Sequence, residues 1–152
     1  GLICVVGQLL IDYTKPSTEK RFYILDLLQK KLLLSTYVAH GRGSGDNYAV
    51  AFSNRPGSYQ SSLGFFRTGD TYMGKNGYSL FLDGLEKGIN DKARERAIVV
   101  HGANYADPAV LKGQQRLGRS LGCPALPPDI SKQVIDTIKG GVLLYIYGLN
   151  KA

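Results

Sequence analysis

Three runs in the first forty residues, VVGQLLIDY, RFYILDL and KLLLSTYVAH, constrain the fold more than anything else in the chain. Each is short, rich in leucine, β-branched and aromatic residues, and bounded by turn-forming chemistry, the signature of strands. TKPSTEK separates the first two and supplies Pro, Ser and charge for a hairpin loop, while only residues 28–30 separate the second from the third. A β-meander is the expected start. Further along, GFFRTGDTYMG, YSLFLDGLE and VLLYIYG repeat the strand pattern, and AIVVH reads as a short buried strand ending at His101. Between residues 41 and 62 the texture changes to Gly, Ser, Asn and Pro with little periodicity, as in a site-forming loop.

Helical signals are fewer. NDKARERA suits a short helix capped by Asn90 or Asp91, and PPDISKQVIDTIKGG suits a second, capped by Asp129 or Ser131 and stopped at Gly140 and Gly141. The expected architecture is therefore mainly β, a mixed sheet forming a sandwich or partial barrel with two short helices. At 152 residues, with no linker or repeat, residues 1–152 make one domain with its own core. Cys4, in LICVV, reads as a core strand residue.

A hydrophobic fraction of 43% and a charged fraction of 20% are those of a globular domain, and no apolar run is long enough to span a bilayer. The net charge of +7 serves solubility or an anionic partner: nucleic acid, a membrane surface or an acidic wall polymer. The basic residues are scattered and carry no recognition motif, so nucleic acid is not expected as a partner. Two histidines and two cysteines with no CxxC or HxxxH spacing give no metal site. HGRGSG is glycine-rich with Arg42 to add charge, but lacks the lysine and helix of a phosphate loop.

One thiol stands out. In GRSLGCPAL, Cys123 sits between Gly122 and Pro124, a setting that reads as exposing the side chain rather than packing it. A nucleophilic cysteine needs a base, and each histidine ends a β-rich run and precedes a glycine, His40 in VAHGRGSG and His101 in VVHGAN. Cys123 lies 22 residues after His101, enough for a loop to return the thiol to the imidazole. Amides beside Gly122 suit an oxyanion hole. The alternative is an inert thiol in a turn with two structural histidines, and these residues alone do not choose between them.

The residues HGAN at 101–104 and SLGCPAL at 120–126 together resemble the signature of the L,D-transpeptidases, the YkuD-like murein cross-linking enzymes, and in particular their murein L,D-transpeptidase catalytic-domain subgroup. The resemblance extends through HGRGSG, FSNRPGSYQSSLGFFRTGDTYMGKNGYSL, GLEKGIN and RAIVVHGA, almost the whole chain. It implies a β-rich sandwich-like fold and a two-step acyl transfer on peptidoglycan stem peptides, with Cys123 as nucleophile and His101 as base. It further implies that the Gly102 carbonyl orients the imidazole and that the Gly122 and Cys123 amides bind the oxyanion. Ser120 matches the motif serine, whereas Leu121 stands where the family has a second histidine and Ala125 where Arg or Asn is usual. The hold on substrate carboxylates then falls to Arg119, Arg42 or Arg116. Tyr72 and the polar residues of TYMGKNGYSL are expected to line the donor cleft; the HGRGSG setting would put His40 at its far wall, holding a substrate carboxylate or shaping the loop, with Arg42 and Ser44 as further substrate-binding candidates.

A monomer without cofactor is expected, exported to the periplasm or cell envelope, with any targeting segment outside this chain. Amine, D-amino acid and water remain open as acceptors, so L,D-carboxypeptidase activity is one alternative. A non-catalytic wall-binding module on the same fold is another. A sortase-like enzyme would need an arginine after the cysteine, and none follows Cys123.

Overall fold

In the computed structural model, residues 7–151 are described; Cys4 lies outside them. Eight strands form one sheet in the order β3-β2-β1-β8-β4-β5-β6-β7. The meander is β1 (Gln8–Asp12), β2 (Phe22–Asp26) and β3 (Lys31–Thr36), antiparallel throughout. Burial alternates along β1 and β2, putting Leu9, Ile11, Phe22 and Ile24 inward with essentially no exposure. Each such side chain contributes roughly 1.5–3 kcal/mol by leaving water, which is what fixes the register. On β3 the first three residues are exposed, as expected at a sheet edge.

The centre is built from β4 (Gly64–Gly74), β5 (Gly77–Gly84) and β8 (Leu143–Tyr147). β8 pairs parallel with β1 and antiparallel with β4, joining the meander to the second half. β6 (Val99–Gly102) lies antiparallel to β5 and parallel to the two-residue β7 (Ala125–Leu126). The edges then approach each other. After β3 the chain runs across to β7, where Ala39 bridges Ala125 and Gly41 bridges Ser120, so the sheet is nearly closed into a barrel.

One α-helix, α1 (Pro128–Ile138), packs against β6 and β5 and buries Val134, Ile135 and Ile138. Pro128 occupies its first turn, where a missing N–H costs nothing, and Asp129 lies in that turn favourably to the helix dipole. The expected side-chain cap is not formed. At the other end the Thr68 hydroxyl, beside a bulge in β4, donates to the Ile138 carbonyl at 2.7 Å and accepts from the Val142 amide at 2.8 Å.

The second expected helix is replaced by turns. NDKARERA makes a chain of tight turns, with Arg96 N–H donating to the Lys92 carbonyl and Ala97 at φ 56° ending them. Eight residues are marginal for an α-helix. The Asn90 amide is also drawn away from capping, since it donates to the Leu63 and Phe65 carbonyls and accepts from Glu86 N–H. Besides α1, three short 3-10 segments occur, at Arg42–Ser44, Asn104–Ala106 and Pro108–Lys112.

Candidate active site

β6 and the loop before β7 meet at one end of the sheet, and the meeting is dictated by pairing. His101 is in register with Ser79 on β5 and Ala125 on β7, so the strand that ends in the imidazole lies beside the segment that carries Cys123 two residues earlier. The sulfur is held against the start of the same strand: Val99 N–H donates to Sγ at 3.4 Å, and the thiol donates to the Ala97 carbonyl at 3.4 Å. Val99 and His101 are two apart and share a face of β6.

Here the expectation of an exposed thiol fails. Cys123 is 9% exposed, because its loop folds down onto residues 97–99 rather than standing away from the sheet. The loop's shape depends on Gly122, whose φ of +125° disfavours other residues, and a Cβ there would lie 2.9 Å from Ile98 Cδ1 and 3.0 Å from the Gln60 carbonyl oxygen. Ser120 clamps the turn, its hydroxyl donating to the Cys123 carbonyl and accepting from Gly122 N–H at 3.1 Å. Of the two amides expected to bind an oxyanion, that of Gly122 is therefore engaged, while among the described residues the Cys123 N–H has no acceptor.

Cys123 and His101 line one cavity of about 420 Å³. His101 Nδ1 lies 2.9 Å from the Gly102 carbonyl oxygen, a contact that places the proton on Nδ1 and leaves Nε2 as a lone-pair acceptor. Burial pushes the imidazole below its ordinary pKa, opposed by the Gly102 contact. Burial also pushes the Cys123 thiol up, against the Val99 N–H and the charges of Arg96 and Lys75.

A model of the L,D-transpeptidase catalytic domain matches residues 6–147, nearly the entire chain. The chain belongs to the L,D-transpeptidase catalytic-domain family. No curated protein matches it by sequence. Among solved structures, an L,D-transpeptidase from Mycobacterium smegmatis is similar in fold, with a TM-score of 0.54 and 12% identity, over 93% of this chain and 58% of that one. An L,D-transpeptidase from Stackebrandtia nassauensis gives 0.56 and 13%, over 99% of this chain and 60% of that one. The helical cell shape determining protein Pgp2 from Campylobacter jejuni gives 0.59 and 16%, over 96% and 49%. The chain thus spans about half to three-fifths of the length of these structures, and at such identities the likeness is one of fold.

Within this L,D-transpeptidase domain the other sequence-selected residues divide sharply. Tyr72, Ser120 and Arg119 line the cavity with Cys123 and His101, as do Lys75 and Asn76 from the same TYMGKNGYSL segment. Tyr72 stacks on Phe81 with centroids 4.3 Å apart, which fixes its ring at the wall. Arg119 is tied to Asp46 and to the Arg42 and Gly45 carbonyls.

His40, Arg42 and Ser44 are not among the lining residues, so HGRGSG does not form the far wall. His40 is 1% exposed, and both ring nitrogens are used: Nδ1 accepts from buried Arg21 at 2.8 Å, and Nε2 faces the Gly45 carbonyl at 3.1 Å. Burial and the neighbouring guanidinium lower its pKa to about 4. Ser44 is buried and accepts from Ser61 N–H, and Arg42 lies over the Tyr59 ring, 4.6 Å from its centroid. Gly102 packs beneath α1, against Ser131.

Two polar side chains of the lining escaped the sequence reading, Arg96 and Tyr105, along with the apolar run Ala97, Ile98 and Val99. Arg96 sits in RERAIVVH, five residues before His101, with no spacing to set it apart from Arg94. In the fold the two part company, since Arg94 pairs with Asp83 on the surface.

Proposed function

We infer that this chain is a cysteine-dependent acyltransferase acting on peptidoglycan stem peptides in the cell envelope, with Cys123 as nucleophile and His101 as base. The observation that carries it is the pairing of a sequestered thiol and an Nε2-acceptor imidazole in one cleft. The lining supports an anionic donor: it holds Lys75, Arg96 and Arg119 and no carboxylate.

The thiol proton passes from the Ala97 carbonyl side to His101 Nε2 as Sγ bonds to the carbonyl carbon of the stem's third, diamino-acid residue. The oxyanion forms beside the unengaged Cys123 amide, a donor of the kind that supplies a few kcal/mol to such intermediates. The tetrahedral species collapses by breaking the C–N bond to the terminal D-alanine, whose nitrogen takes the proton from His101. An acceptor amine or water then gives a proton to His101, attacks the thioester and restores the thiol. Cross-link, D-amino acid exchange or tetrapeptide trimming results according to the acceptor.

The test is to incubate the protein with disaccharide tetrapeptide and follow D-alanine release by mass spectrometry. Wild type releases D-alanine and Cys123→Ala does not; equal behaviour of the two sinks the reading and leaves a wall-binding module.

A further inference from the structure

Arg96 enters the cleft from the turn that precedes β6, and its guanidinium is held without a carboxylate. Nη1 donates to the Ser53 carbonyl at 2.9 Å and the Ser62 hydroxyl at 2.7 Å. Nη2 donates to the Gln60 carbonyl at 2.7 Å and the Ser58 hydroxyl at 3.2 Å. A guanidinium has five N–H groups, four of them on these two nitrogens, so both terminal nitrogens are saturated by protein acceptors. Among the described residues no acid pairs with Arg96. Its charge is fixed in place and left unneutralised.

The position is adjacent to the nucleophile. Arg96 lines the cavity with Cys123, and a Cβ built on Gly122 would lie 3.4 Å from Arg96 Nη2. Because the Nη protons are spent, the side chain is not free to grip a donor carboxylate in the bidentate way arginine usually does. What it offers the cleft is field. We propose that Arg96 is a positioning residue for the Cys123 anion, favouring the thiolate through its fixed charge rather than binding the donor.

The other charged or titratable groups around the thiol do not duplicate this. Lys75 is an exposed side chain on the β4–β5 turn, and Arg119 is paired with Asp46 at 3.2 Å. His101 and Tyr105 line the cleft, where burial lowers the pKa of the imidazole and raises that of the phenol to about 12, and Tyr13 lies in the core with its phenol likewise pushed up to about 12. Burial of Cys123 opposes ionisation, so a nearby fixed cation is what the site requires to compensate. Ala125, where the family has Arg or Asn, supplies no such group and is fully buried.

The inference rests on Cys123 being the nucleophile, but its test reads the thiolate alone. The pH profile of Cys123 alkylation by iodoacetamide is measured on the whole chain by mass spectrometry of the Cys123 peptide, which separates it from Cys4. Arg96→Gln is expected to move the midpoint up by about one pH unit, a roughly tenfold slower reaction at neutral pH. Arg96→Lys keeps the charge and loses the fork, so its midpoint stays near wild type although the loop is less stable. Ser62→Ala, which removes one partner of Arg96, leaves the midpoint in place.

An unmoved midpoint in Arg96→Gln overturns the proposal. So does a shift in Arg96→Lys as large as that in Arg96→Gln, which would make the role structural; should Arg96→Gln fail to fold, a full-unit shift in Arg96→Lys alone has the same force. A tenfold rise in donor KM with the midpoint unmoved would make Arg96 a carboxylate grip and also overturn it. If the midpoint depends on Arg96 but no D-alanine is released, this inference stands and acyl transfer fails.

Discussion

The two histidines have the same local sequence logic and opposite environments. Each ends a β-rich run and is followed by glycine, and each is almost fully buried. His101 spends one nitrogen on the Gly102 carbonyl and keeps the other toward a cavity shared with Cys123. His40 spends both, one on buried Arg21 and one on the Gly45 carbonyl, and does not line the cavity that holds Cys123. A base needs a free nitrogen within reach of a proton. The same residue without one is a strut, and here its Nδ1 completes the acceptor set of a buried guanidinium that also donates to the Val38 and Lys15 carbonyls.

The difference breaks most readily at His101. His101→Ala is expected to slow D-alanine release by roughly 10²–10⁴, the usual worth of a positioned general base, with little change in melting temperature. A loss below tenfold would mean the base has been misassigned.

Acid tests the other histidine. With a folded pKa of about 4 against an unfolded value near 6.5, the unfolded chain binds the extra proton between those limits. The stability that neutral His40 contributes is thus complete above about pH 6.5 and lost as pH falls toward 4, on the order of 3 kcal/mol. Denaturant melts across that range should show the decline, and His40→Ala should flatten it while lowering stability at pH 7 by about 2 kcal/mol. D-alanine release per folded molecule should stay within about threefold of wild type in His40→Ala, as the imidazole contacts Arg21 and Gly45 rather than the cavity, and its backbone contact with Ser120 survives the change. A catalytic loss in this variant equal to that of His101→Ala would erase the contrast.

Gly122→Ala probes the loop that brings the thiol to β6. Its positive φ and its contacts with Ile98 and Gln60 predict about 1–3 kcal/mol of strain, read as a lower melting temperature and altered Cys123 alkylation. Smallest is Arg119→Ala. That side chain touches both regions, lining the cavity while donating to the carbonyl that His40 also contacts. Partly exposed and paired to Asp46, it is worth at most about 1 kcal/mol, so donor KM should rise no more than roughly fivefold.

Much of the framework was legible because it is periodic. Alternation along QLLID and FYILD, the eleven-residue β4 and the helical spacing of Val134, Ile135 and Ile138 follow from side chains having to face one core. NDKARERA misled because helix propensity was outweighed by an asparagine whose amide ties together β4, the preceding loop and Glu86. β7 was invisible: two residues carry no period, and the strand exists only because β6 and residue 39 flank it.

For the site, the sequence alone determined which cysteine and histidines the chain offers and their order, and the family resemblance is what put Cys123 and His101 forward as a pair. Those depend on local identity, which a string of residues contains. The tertiary structure decided the rest: that the thiol is packed rather than displayed, that His40 belongs to Arg21, and that Arg96 lines the cavity with Cys123 while Arg94 pairs with Asp83 outside it. Such facts are set by which hydrogen-bond acceptors long-range folding brings to a buried donor, and residues 53–62, which hold Arg96, lie more than thirty positions away in the chain.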